Sequence, residues 1–169
     1  MHLAPEKIWA IIGPVLLRQY KRSATFLDYK NPWELTVAVI LSAQTTDNGV
    51  NKVTPALFKA YPTPAALSKA KISDIEKIIK TLGYYHSKAK YIKESAEILV
   101  KDFRGTVPKT SEEIQRLRGV GRKSAVAILS KAYKQNIGIP VDTHVIRFVK
   151  RFGLSKKTDP SKIEQELLN

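Results

Sequence analysis

Residues 115–131 read QRLRGVGRKSAVAILSK, and the glycines at 119 and 121 give that stretch its chemical interest. Glycine has no side chain to cover its amide and frees the backbone to turn sharply, so Leu117, Gly119, Val120 and Gly121 read as a hairpin joining two helices. A helix beginning at Arg122 points its positive dipole end, and its unpaired first-turn N–H groups, to the same place. Such a turn can hold a phosphate by backbone amides alone, and the ligand class it suits is a nucleic-acid backbone. A Gly-x-Gly also joins packed helices with no ligand at all. Lys123, taken alone, reads as one more solvated lysine, and Asp142 as a helix cap worth about 1 kcal/mol.

The elements that must position these residues are helical. Ile8, Ile11, Ile12, Val15 and Leu16 recur at helical spacing between Pro5 and Tyr20, and Pro14 is expected to kink or split that helix. Asn31-Pro32 gives a cap and a first-turn proline to a strongly apolar helix ending near Leu41. A polar break at 42–47 follows, placed at the end of a buried helix, and then a helix to about Ala60. Thr63-Pro64 opens a short helix, Ser73 with Glu76 is expected to form a capping box, and a long helix runs from about His86 to Phe103. Thr110 with Glu113 makes a second capping box before the hairpin, whose second helix runs to about Tyr133. Residues 138–141 are extended, Asp142 is expected to cap a helix through Phe152, and Asp159-Pro160 starts the last one. No strand pair is evident, and the fold class expected is all-α. Residues 79–89 echo 114–124 as helix, glycine turn, basic residue, helix, a spacing that suggests two DNA-facing turns but that any two joined helices also produce.

Composition narrows the partner. Lys and Arg number 29 against 15 Asp and Glu, a net charge of +14, which favours a polyanion without choosing DNA over RNA. There is no cysteine, which excludes disulfides, zinc thiolates and a cysteine-held iron-sulfur cluster within these residues. The N-terminus lacks a signal-peptide pattern and no apolar run approaches the roughly 20 residues needed to span a membrane, so the expectation is a cytoplasmic protein, nucleoid-associated in a prokaryote, with no membrane partner.

Four motifs, LSAQTTD at 41–47, LGYYHSKA at 82–89, LRGVGRKSA at 117–125 and VDTHVIR at 141–147, together resemble the endonuclease III family of base-excision DNA glycosylases. The resemblance implies a two-lobed helix-hairpin-helix DNA glycosylase fold. Residues 25–135 would form a six-helix barrel lobe holding the hairpin motif at about 111–134, and residues 1–24 with 136–169 a truncated second helical lobe. It also implies a bifunctional glycosylase and abasic-site lyase, removing oxidised pyrimidines of the thymine glycol type from double-stranded DNA and acting as a monomer. In that family the lysine after the hairpin is the nucleophile and the aspartate of the Val-Asp-Thr-His motif the essential carboxylate, here Lys123 and Asp142. A free lysine is mostly protonated at neutral pH, so attack needs a proton acceptor or a setting that disfavours the ammonium; a first helical turn supplies one, and Arg116, Arg118, Arg122 and Lys131 act the same way.

By the same resemblance Gln44 and Tyr84 insert into the duplex where the damaged nucleotide leaves, His144 lines that region, and Leu117, Gly119, Val120, Gly121 and Arg122 bind DNA. Leucine is commoner at the Tyr84 position, and tyrosine is typical of adenine-specific mismatch glycosylases. Those enzymes carry a catalytic glutamate before the glutamine turn, whereas residues 37–42 here contain no acid and Lys123 is present. Family members commonly continue with four cysteines holding a 4Fe-4S cluster; with none here, the expectation is no cofactor, in either a short cluster-free relative or a piece of a longer protein. Without further helices over the N-terminal segment, Ile8, Ile11, Ile12 and Val15 would be partly exposed. Two other readings fit the same motifs: cleavage of abasic sites alone, or a catalytically silent helix-hairpin-helix DNA-binding module.

Overall fold

The computed structural model describes residues 4–20 and 26–168. Among these residues the structure is all-helical, with no strand, and the chain divides into two compact units, 25–137 and 1–24 with 138–169. The residues on either side of the first boundary, 21–25, lie outside the described ones.

The larger unit is built on α2 (Pro32–Leu41), of whose ten residues eight are buried. Its start is fixed locally: the Asn31 side chain accepts from the Glu34 N–H at 2.9 Å, Pro32 occupies the first turn, and the Glu34 carboxylate accepts from the Lys30 N–H at 2.8 Å. Two orphan donors are thereby satisfied before the apolar run begins. Leu35, Ile40 and Leu41 then pack with Leu57 of α3 (Asp47–Ala60), Ile92 and Leu99 of α6 (Tyr85–Phe103) and Ile128 of α8 (Arg122–Tyr133). Each such side chain contributes roughly 1.5–3 kcal/mol by leaving water. The short helices α4 (Pro64–Ser68) and α5 (Ile72–Ile79) lie on α6, and α7 (Ser111–Ile114) on α8.

One expectation needs correction here, and another loses one of its two alternatives. Ser73 does not cap α5: the helix starts two residues earlier, with Lys71 in the cap position and no side-chain cap bond. Glu76 instead meets the His86 ring, Oε1 to Nδ1 at 2.8 Å, a bond across ten residues that outweighs the local motif. In the smaller unit, Pro14 does not split α1 (Pro5–Gln19). Pro14 and Ala10 are both exposed, so the carbonyl that proline deprives of its partner can turn to water.

That smaller unit packs Ile8 and Ile12 of α1 on Val141, on Val149 of α9 (Thr143–Arg151), on Leu154, and on Ile163 of α10 (Pro160–Leu168). Ile8 and Ile12 are thus half-buried, while Ile11 and Val15, on the same apolar stripe of the helix, are exposed. Residues 138–141, expected to be extended, lie outside any helix and turn tightly at Pro140, where the Val141 N–H donates to the Ile139 carbonyl at 2.8 Å; the Ile139 N–H is held by Glu164 Oε1 at 3.3 Å.

Candidate active site and nucleic-acid interface

The hairpin is assembled from Thr110 onward. Its hydroxyl accepts from the Glu113 N–H at 3.3 Å and donates to the Glu113 carboxylate at 2.7 Å, which starts α7. After α7 the chain tightens: the Leu117 N–H donates to the Ile114 carbonyl at 3.1 Å and the Val120 N–H to the Leu117 carbonyl at 3.2 Å. Leu117 and Val120 are buried, so these two expected DNA-binding residues place their side chains in the core and leave only their backbone to a ligand.

The two glycines do different work. Gly119 stands in the left-handed region at φ +79°, and a Cβ there would lie 3.2 Å from Tyr91 Cδ2 and 3.3 Å from Ile40 Cγ2. Gly121 is extended at φ −94°, ψ −177°, with no atom within 4 Å of a would-be Cβ. The sharp turn therefore needs glycine at 119 alone. At 121 the glycine leaves the helix start uncovered, for no side chain caps α8 there. Any anion at this point meets the first-turn amides and the dipole directly.

Lys123 is the second residue of α8 and is exposed. Its basic neighbours are restrained. Arg116 is paired with Asp102 and lies 5.0 Å over the Phe103 ring, and Arg118 Nε is 3.3 Å from Glu94 Oε2. Arg122, expected to bind DNA, donates to Ser111 Oγ and to the Ile137 carbonyl, both at 3.0 Å. Those contacts brace the hairpin and the chain that leaves α8.

Four non-glycine residues of this unit have a left-handed backbone: Arg104 and Lys134 close the C-termini of α6 and α8, and two others lie in turns that precede helices. Gln44, in the turn between α2 and α3, has φ +52°, and Tyr84, immediately before α6, has φ +57°. A left-handed conformation costs a residue with a side chain roughly 1–2 kcal/mol. Neither side chain is repaid by packing: Gln44 is exposed and Tyr84 is 70% exposed. Gln44 does not cap α3 either, since Thr46 does so by accepting from the Gly49 N–H at 3.2 Å. Tyr84 is therefore no core aromatic and Gln44 no helix cap.

Sequence reasoning passed over Lys88, in the quoted motif LGYYHSKA. It is 3% exposed, its ammonium donates to the Thr45 hydroxyl beside Gln44, and burial pushes its pKa down. The echo between residues 79–89 and 114–124 aligns Lys88 with Lys123, the one signal that would have singled it out.

In the smaller unit Asp142 caps α9. Its Oδ1 accepts from the N–H groups of His144 at 2.9 Å and Val145 at 3.0 Å, and its Oδ2 lies 3.4 Å from His144 Nδ1. The His144 ring is largely exposed.

Among the described residues no group of three or more His, Cys, Asp or Glu could hold a metal ion, and the 169 residues contain no thiolate donor. They do not fit a cysteine-held iron-sulfur cluster. No helix among the described residues is long and apolar enough to cross a membrane.

Residues 37–169 match the family described as "HhH-GPD superfamily base excision DNA repair protein". The chain is 45% identical over 154 residues to endonuclease III of Synechocystis sp., covering 91% of this chain and 70% of that relative. It is 38% identical over 144 residues to endonuclease III of Escherichia coli, covering 85% and 68%. Among solved structures it superposes on a trapped endonuclease III–DNA covalent intermediate with a TM-score of 0.91 at 35% identity, over 98% of this chain and 78% of that one.

Proposed function

The chain belongs to the HhH-GPD superfamily of base excision DNA repair proteins, a base-excision glycosylase with lyase activity, and from that premise we propose that Lys123 is its nucleophile and Asp142 its essential carboxylate. The observation that carries the reading is the placement of Lys123 in the first turn of α8, directly after an uncapped glycine hairpin. That is where a phosphodiester would be held by backbone amides with an amine two residues away. The trapped covalent complex of a relative with 35% identity supports the same chemistry.

The proposed substrate is double-stranded DNA carrying an oxidised pyrimidine of the thymine glycol type, or an abasic site, met by a monomer in the cytoplasm. A damaged nucleotide is turned out of the stack, and Gln44 and Tyr84 fill the space it leaves. Lys123 Nζ bonds to C1′ as the glycosidic C–N bond breaks, its electron pair leaving with the protonated base. The Asp142 carboxylate stabilises the positive charge that develops on the sugar. Loss of the amine proton and ring opening give a Schiff base. Removal of a C2′ proton then expels the 3′ phosphate by β-elimination, and water releases the enzyme.

The test is borohydride trapping on two duplexes, one with thymine glycol and one with a preformed abasic site. Covalent complexes on both, abolished by Lys123→Ala, are expected. Trapping on the abasic duplex alone would move base removal to a different lesion or leave a lyase. Trapping on neither would leave a DNA-binding module and overturn the reading.

A further inference from the structure

Lys88 has no part in the chemistry above, yet its position is costly. It is the fourth residue of α6, almost wholly buried, and among the described residues its ammonium has one acceptor, the Thr45 hydroxyl, and no carboxylate. Burying a cation against a single neutral acceptor opposes folding, which is why desolvation lowers its pKa. A position serving stability alone would hold an apolar side chain.

What the lysine does is bridge. Its backbone N–H donates to the Tyr84 carbonyl at 3.0 Å, anchoring it to one left-handed turn, while its ammonium grips Thr45, the residue after Gln44 in the other. The two turns also press on the same spot, for a Cβ at Gly49 would lie 3.3 Å from Thr45 Cγ2 and 3.8 Å from Leu82 Cδ2. Two strained, exposed residues thus sit at the ends of one buried link.

We propose that Lys88 is a positioning residue that couples the Gln44 turn to the Tyr84 turn, so that the two side chains enter the duplex together. The inference rests on the reading of Gln44 and Tyr84 as inserting residues. If the turns moved independently, each insertion would have to order its own loop; joined, one ordering step serves both.

The experiment follows the fluorescence of 2-aminopurine placed opposite a non-cleavable abasic analogue, as protein is mixed with the duplex. Lys88→Met and Thr45→Val each slow the fluorescence rise by about tenfold, the lower range for losing a hydrogen bond to a charged group. The double variant is no slower than either single one, because both remove the same link. Thr45→Ser, which keeps the hydroxyl, restores the wild-type rate. Helical circular dichroism and the thermal midpoint report whether Lys88→Met folds; where it does not, the Thr45→Val and Thr45→Ser pair decides. Gln44→Ala and Tyr84→Ala serve as controls for the underlying reading. Loss of signal in both controls with no slowing at Lys88 or Thr45 overturns the coupling alone, as does additive slowing in the double variant. Unchanged signal in both controls removes the insertion reading and the coupling with it.

Discussion

The turn at 82–84 and the turn at 117–121 solve one backbone problem in two ways. Each follows a buried isoleucine, Ile79 or Ile114, and buries a leucine, Leu82 or Leu117. Each is closed by the same bond, from the leucine N–H to the isoleucine carbonyl, at 2.9 Å and 3.1 Å. Two residues later each passes through the left-handed region, at Tyr84 and at Gly119. There the likeness ends. Gly119 is wedged against Tyr91 and Ile40, whereas Tyr84 stands in solvent and its helix begins at the very next residue. Beyond Gly119 the chain runs on through Val120 and Gly121 before α8 starts. One turn therefore exposes its backbone, the other a side chain. The first relieves strain with glycine and leaves amides bare; the second carries a ring on a left-handed residue.

The largest effect expected separates the two lysines that follow these turns. Lys123→Arg keeps a positive charge but supplies no amine able to form a Schiff base, so borohydride trapping on an abasic duplex should vanish, while Lys88→Met still traps. Wild-type trapping by Lys123→Arg would move the nucleophile elsewhere. Next comes Gly119→Ala. The added methyl meets two packed side chains in a left-handed backbone, and a urea titration should show a loss of about 1–3 kcal/mol. An unchanged midpoint would mean that Tyr91 and Ile40 give way without cost.

Tyr84→Gly should do the reverse, at smaller size. The ring packs on little, so relief of backbone strain should leave stability equal or raised by up to about 1 kcal/mol, with lesion processing reduced. A clear destabilisation would show that the ring is structural. Gly121→Ala should change stability by less than about 0.5 kcal/mol, since the backbone is extended and the space open. Any fall in DNA affinity would then report the covering of α8's first amides, measured as binding to an undamaged duplex.

Much of this was legible in the sequence because its signals are local. The caps at Asn31, Thr110 and Asp142 lie within three residues of the N–H groups they satisfy, and each stands where the pattern put it. The Ser73 and Glu76 pair failed because its acid had a better partner, His86, on another helix, which no local window contains. Gly-x-Gly marked the hairpin but could not say which glycine bears the positive φ; that depends on Ile40, some eighty residues earlier, and on Tyr91. Gln44 and Tyr84 were singled out through motif resemblance, while their left-handed conformation shows only in the backbone. Lys88 was missed for the plainest reason: a lysine in a basic chain reads as solvated until its burial is seen.

The smallest effect expected is a difference of differences at Lys88, and its sign is fixed. Burial lowers the folded-state pKa of Lys88 below the ordinary 10.5. Below that lowered value the native and unfolded chains are both protonated there, and the native state carries the full penalty of a desolvated ammonium. Between it and 10.5 the unfolded chain binds more protons than the native one, so this residue's contribution to stability rises with pH. Lys88→Met has no such group. Any stability advantage it holds over the wild type at neutral pH should therefore shrink as pH climbs through that window, when the two are compared by denaturant midpoint. A gap that stays constant would mean that the ammonium keeps its hydration and grips Thr45 from a wet site, and it would leave the link between the two turns too weak to carry both side chains together.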